Sequence, residues 1–256
     1  MKDKREGFIS LRNVSSGYNK KTVLKDISLT IPAGKTVLII GENGSGKSTL
    51  LKTMAGLLPY TGSVQVDEKE MNTLSEKERA AKIAMLSQMN RAYFSYTVEE
   101  TVRMGRYRFT EGLFASFNKK DHEAVKAAME KTGIYDIRKE QLSSLSGGQL
   151  QRVYLARMFA QEADYIFLDE PTNHLDLKYR VILEQYLKKE NASVVAIYHD
   201  LLQAFAIADE IILLKDGRVL KQDTPENIIN SGLLNEAFDM DVISYLKSVK
   251  KESEAF

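Results

Sequence analysis

The segment Gly41-Glu42-Asn43-Gly44-Ser45-Gly46-Lys47-Ser48-Thr49 restricts what this chain can fold into more than any other. It matches the pattern G-x-x-x-x-G-K-S/T, follows the apolar run Thr36–Ile40, and leads into helix-forming residues 49–55. A short apolar run that ends in glycines and turns into a helix is a buried strand feeding a helix. Gly41, Gly44 and Gly46 let the main chain close tightly, while the helix start adds unpaired N–H groups and the positive end of a dipole. Such a loop holds a polyphosphate. Lys47 is placed to reach β- and γ-phosphates, and Ser48 to ligate Mg2+.

The rest of the chain supplies the frame for that loop. Residues 8–14, 27–31 and 62–66 alternate or carry β-branched side chains and read as strands. Residues 97–138 change to helix formers with helix-spaced apolar positions, Val98, Val102, Ala124, Val125, Ala128 and Met129, and read as a helical lobe. Strands and helices then alternate: strand 165–168, helix 179–189, strand Ser193–Ile197, helix 201–208 and hairpin 210–220, with Lys215-Asp216-Gly217-Arg218 as its turn. This alternation implies an α/β core with a parallel sheet.

Composition narrows the function classes. Lys and Arg number 36 and Asp and Glu 35, which argues against a broad basic face for nucleic acid. There is no cysteine, so disulfides, zinc–thiolate sites and thiol catalysis are excluded. The charged residues 1–7 lead into a strand-like segment, so no secretory leader is expected. No apolar run approaches the roughly 18 residues that span a bilayer. Any link to a membrane is expected to run through another protein.

Two more segments carry chemistry. Asp164-Tyr165-Ile166-Phe167-Leu168-Asp169-Glu170 is an apolar strand ending in two carboxylates, at the sheet edge where ligands collect in α/β folds. Asp169 suits Mg2+, and Glu170 suits polarisation of an attacking water. Leu145-Ser146-Gly147-Gly148-Gln149 precedes an amphipathic helix whose face is marked by Leu150, Val153, Tyr154 and Met158. Ser146 suits an N-cap, and the glycines expose backbone N–H groups, so the chain holds a second anion-binding helix start.

Together these segments resemble the ABC (ATP-binding cassette) ATPase family over nearly the whole chain. Leu145-Ser146-Gly147-Gly148-Gln149 is similar to its signature motif, Gly41 to Thr49 to Walker A, and residues 165–170 to Walker B. Gln88, after the strand Ile83–Leu86, resembles the Q-loop glutamine that contacts Mg2+ and senses the transmembrane partner. Asn173-His174-Leu175-Asp176 resembles the D-loop, His199 the switch histidine at γ-phosphate, and Tyr18 the aromatic that stacks on adenine. The resemblance implies a P-loop NTPase core with a parallel sheet, an N-terminal antiparallel β subdomain and an inserted α-helical subdomain. Within a single domain over 1–256, it implies a core over 1–88 and 160–225, a helical subdomain over 89–159 with the signature, and a C-terminal helical tail over 226–256. It further implies ATP and Mg2+ as ligands, and a head-to-tail homodimer in which Ser146, Gly147, Gly148 and Gln149 of one chain close over ATP on the other. Transmembrane permease subunits are the direct partners, a substrate-binding protein is an indirect one, and nucleic acid is none. The implied location is peripheral, on the cytoplasmic face of the cell membrane. Tyr93, Phe94 and Tyr96, after Gln88, are expected to receive a permease helix.

Within the family, the D-loop residues, Gly105-Arg106-Tyr107 and His199-Asp200-Leu201-Leu202-Gln203-Ala204 resemble importers of iron–siderophore, haem and vitamin B12. Arg108 and Tyr198 stand where that group commonly has Pro and Thr or Ser. The alternative is a ribosome-associated ABC translation factor, which shares the D-loop pattern but joins two cassettes through a charged linker.

Overall fold

The computed structural model of the protein describes residues 7–19, 21–87, 95–109, 117–171, 176–189, 193–198 and 200–253. They fall into two units, Met1–Thr73 with Ser193–Phe256, and Leu74–Ala192.

In the first unit, alternation of apolar residues builds an antiparallel sheet in the order Lys21–Pro32, Phe8–Tyr18, Tyr60–Val66, Lys69–Glu70. Ile9, Leu11, Val14, Leu24, Ile27, Ile31, Val64 and Val66 are buried on its inner face. The alternation slips where Arg12-Asn13 and Lys25-Asp26 are both exposed. There the strands bulge, with Asn13 and Asp26 at φ 50 and 55, and the Asn13 amide donates to the Asp26 carboxylate at 2.9 Å. An extra residue in one strand shifts the phase of the side chains and bends the sheet.

Thr36–Ile40 runs parallel to Ser193–Ile197 on one side and Glu210–Lys215 on the other, and Arg218–Asp223 returns antiparallel to the latter. Val37 to Ile40, Val194 to Ile197 and Ile211 to Leu214 are fully buried. These strands are therefore continuous apolar runs, as a parallel sheet covered on both faces requires. The helix Lys47–Met54 packs against Phe8–Tyr18, Lys21–Pro32 and Ser193–Ile197, burying Leu50, Leu51 and Met54. Helices Pro225–Asn230, Leu233–Ala237 and Val242–Ser253 end the unit.

The second unit pairs Ile83–Leu86 in parallel with Tyr165–Asp169 and gathers its helices around Gly147–Gln161. That helix touches Val98–Arg103, Lys119–Lys131, the 3-10 turn Met104–Phe109 and the strand Ile83–Leu86. Neighbours on several sides bury Val153, Leu155, Ala156, Met158, Phe159 and Ala160, while Leu150 and Tyr154 are only half-buried. The single face expected from the sequence is therefore corrected to burial around most of the helix. Helix starts are fixed by reciprocal capping boxes at Ser75/Glu78, Thr97/Glu100, Asn118/Asp121 and Ser146/Gln149. Arg106 is buried, paired with Asp121 at 3.0 Å and Glu162 at 2.9 Å, and donates to Ala160 O at 2.8 Å. No helix among the described residues is long and apolar enough to cross a membrane.

Candidate functional site

The phosphate loop leaves the strand Thr36–Ile40 at Gly41 and enters the helix Lys47–Met54 through Gly46, whose φ of 105 makes a left-handed cap. Gly41 passes so close to the strand Glu210–Lys215 that a Cβ there would lie 2.1 Å from Leu214 O. Glycine is required by contact as well as by its φ of 150. Lys47 is 7% exposed, and its Nζ donates to Gly41 O at 2.9 Å and Glu42 O at 2.8 Å. A buried ammonium is tolerated when oxygens surround it, and here the loop's own carbonyls hold it at the loop's centre. Ser48 is half-buried and Thr49 is buried, with Thr49 O accepting from Thr53 Oγ1 at 2.7 Å. Glu42, Asn43 and Gly44 are exposed.

The loop suits a triphosphate by an observation independent of its motif. Ser45 Oγ is buried and has no hydrogen-bond partner among the described residues. A buried hydroxyl left unpaired costs about 1–3 kcal/mol, and a phosphate oxygen is an acceptor of the kind it lacks. Tyr18 ends the strand Phe8–Tyr18, pairs with Lys21 and is 42% exposed, leaving ring surface open to stacking.

The second unit presents the other candidate groups. Asp169 ends the strand Tyr165–Asp169 and is 4% exposed, and Glu170 follows half-buried at φ 53. A non-glycine residue in the left-handed region costs about 1–3 kcal/mol, and such strain clusters at functional sites. Hydroxyl and carboxylate oxygens, as on Ser48 and Asp169, are the hard donors Mg2+ selects. Among the described residues there is no cluster of three or more His, Asp or Glu that would cage a metal by itself. A site that shares its metal with substrate phosphates needs none.

Ser146 is the N-cap of Gly147–Gln161. Its Oγ accepts from Gln149 N at 3.2 Å, and Gln149 Oε1 accepts from Ser146 N at 2.9 Å. Leu150 N donates to Ser146 O at 2.9 Å. The amides of Gly147 and Gly148 are left with no intrahelical acceptor, as at any helix start, and a Cβ on Gly147 would meet nothing within 4 Å. Asp176 is exposed, and its Oδ1 accepts from Tyr179 N at 3.1 Å at the start of Leu177–Lys189. Gln88, Asn173, His174, Leu175 and His199 lie outside the described residues, as do Tyr93 and Phe94.

Sequence reasoning missed the part played by the hairpin Glu210–Asp223. Its turn signal was readable, but nothing in it pointed to Gly41, the residue its strand confines.

Comparison with known proteins gives concordant findings. The family model described as ABC transporter matches residues 24–173. The petrobactin import ATP-binding protein YclP of Bacillus subtilis is 36% identical over 92% of this chain and 94% of its own. The ferric enterobactin transport ATP-binding protein FepC of Escherichia coli is 37% identical over 88% of this chain and 84% of its own. Among solved structures, a dimeric post-hydrolysis state of an ATP-binding cassette bound to ADP and Pi is 28% identical. It superposes with a TM-score of 0.74 over 85% of this chain and 98% of that one.

Proposed function

Because the chain belongs to the ABC transporter family, we propose that it is the ATP-hydrolysing subunit of an importer that takes up ferric siderophores through a separate permease. The chain is an ATP-binding ATPase of that family. The cargo reading is carried by one observation: relatives that serve petrobactin import and ferric enterobactin transport are 36% and 37% identical across most of the chain. No observation favours the translation-factor alternative.

In the proposed cycle, Gly41, Glu42, Asn43, Gly44, Ser45 and Gly46 wrap the phosphates, and the Lys47 ammonium binds β- and γ-oxygens. Thr49 anchors the loop to its helix. Tyr18 stacks on the adenine. Ser48, Asp169 and Gln88 would hold Mg2+, which would supply neutralisation of the phosphates' negative charge. The Glu170 carboxylate accepts a proton from water as its oxygen attacks the γ-phosphorus. The bond to the β–γ bridging oxygen breaks, and ADP and phosphate leave. His199 contacts the γ-phosphate, and Gln88 reports its state to the permease.

Two chains pair head to tail. Ser146, Gly147, Gly148 and Gln149 of one chain cover the γ-phosphate held by the other, and Asp176 lies at the seam. The free amides of a helix start suit that anion. The chain works peripherally on the cytoplasmic face of the membrane, and a substrate-binding protein delivers cargo on the far side.

Disruption of the gene in its host, followed by uptake of radio-iron as a ferric siderophore, tests this function. Uptake is expected to fall to background, to return with the wild-type gene, and to stay lost with Lys47→Ala. Unchanged siderophore uptake in the disrupted strain would overturn the cargo assignment.

A further inference from the structure

The phosphate loop is braced from behind by the hairpin Glu210–Asp223. At its two-residue turn, Asp216 and Gly217 have φ values of 49 and 76, the combination that closes a tight hairpin. The Gly217 N–H donates to Ser45 O at 3.0 Å, inside the loop, and Gly217 O accepts from Lys25 N at 2.8 Å. A Cβ on Gly217 would lie 1.8 Å from Val23 O. One strand earlier, Leu214 O abuts Gly41. The hairpin thus touches the loop at both ends of its glycine-rich stretch.

The turn is itself held from outside. Lys215, the residue before it, donates from Nζ to the Asp239 carboxylate at 2.7 Å and to Glu236 O. Glu236 belongs to the helix Leu233–Ala237, and Asp239 follows that helix. The hydrogen bond from Lys215 to Asp239 is the main cause that raises the Lys215 ammonium above its ordinary value, and Glu42 of the phosphate loop adds to it. Contacts therefore run without a break from the C-terminal segment through Lys215 and Gly217 to Ser45.

We propose that Gly217 and Lys215 are positioning residues for ATP: the hairpin tip fixes the Ser45 peptide, and the C-terminal segment, through Asp239, fixes the tip. Neither residue is assigned contact with ATP. They set the geometry of the loop that makes it, so the tail beyond Gly232 governs nucleotide affinity. The inference rests on the ATP-binding reading of the loop.

The test is the dissociation constant of ATP with Mg2+, by isothermal titration calorimetry on the full chain well below its unfolding temperature. The variants are Lys215→Met, Asp239→Asn and Gly217→Ala, with Ile211→Val as a control that weakens the same hairpin at its far end, where Ile211 is buried and pairs with Asp223. Losing one hydrogen bond's worth of positioning is expected to raise the Kd about three- to tenfold in Lys215→Met and Asp239→Asn, and at least as much in Gly217→Ala. Ile211→Val is expected to lower the Tm and leave the Kd unchanged. If Gly217→Ala does not fold, the two surface variants still decide. Wild-type Kd values in both surface variants would overturn the proposal, as would an equal rise in Ile211→Val. If wild-type protein bound no ATP, the functional reading itself would fail, and that outcome is distinct from wild-type binding with unaffected variants.

Discussion

Gly41→Ala tests the packing of the phosphate loop. The added methyl would sit 2.1 Å from Leu214 O, 3.1 Å from Leu214 C and 3.0 Å from Ser45 Oγ. Leu214 is fully buried, and its neighbour Leu213 is paired in register with Ile40. The oxygen therefore cannot retreat without pulling on the central sheet. Overpacking of this kind costs about 1–3 kcal/mol, and forcing an L-residue to a positive φ costs about 1–3 kcal/mol more. The sum, about 2–6 kcal/mol, is a large part of a typical folding free energy of about 5–15 kcal/mol. Gly44→Ala separates the two costs, because its φ is 84 but a Cβ there meets nothing within 4 Å. In urea titrations with m near 3 kcal/mol/M, Gly41→Ala should lose roughly 0.7–2 M in midpoint, and Gly44→Ala roughly 0.3–1 M. The Gly41 variant should also bind ATP more weakly, since its methyl crowds the Ser45 hydroxyl. Coincident urea midpoints for the two variants would refute the argument from contact.

Lys47→Ala should abolish ATP binding by calorimetry, and by stranding the Gly41 and Glu42 carbonyls it should cost about 1–3 kcal/mol in urea unfolding. Glu170→Gln should slow ATP hydrolysis by about 10²–10⁴ while leaving ATP binding intact. It should also run as a dimer in ATP and as a monomer without it by light scattering, and Ser146→Arg should abolish that dimer. Burial pushes the Glu210 carboxyl up, but hydrogen bonds from Lys35 and Gln222 outweigh it and hold the group below its ordinary value. A depressed carboxyl contributes stability that is present above the unfolded pKa and lost as pH falls through the folded one. Glu210→Gln should therefore flatten the acid limb of a urea-midpoint-versus-pH curve, and an unchanged limb would reject the cause. Arg106→Met should cost about 3–5 kcal/mol by leaving Asp121 buried and uncompensated. Adding Asp121→Asn should recover part of that loss in a double-mutant cycle.

Local chemistry was the legible part. The strand–loop–helix at Gly41 to Thr49, the strand ending in Asp169 and the cap at Ser146 each depend on a few consecutive residues, so their pattern fixes their form. The two-residue turn at Asp216 and Gly217 was legible for the same reason. Contacts between distant residues were not. Arg106 stood out in the sequence only within Gly105-Arg106-Tyr107 and nothing tied it to Asp121, yet the two form a buried pair, because a side chain's partner depends on how helices meet. The helix after Ser146 misled for a related reason: a periodic stripe shows which face can be buried, not how many neighbours will cover the rest. Left-handed φ values at Asn13, Asp26 and Glu170 had no unambiguous sequence mark either, since these residue types occur in ordinary backbone far more often.

The claim that ATP hydrolysis here drives siderophore import is tested most directly in lipid vesicles containing this chain and its permease. ATPase rate is measured with the substrate-binding protein added empty or loaded with ferric siderophore. Loaded protein should raise the rate well above the empty form, and Glu170→Gln should slow hydrolysis by about 10²–10⁴ under both conditions. A rate indifferent to the siderophore, or an undiminished rate in Glu170→Gln, would contradict the account.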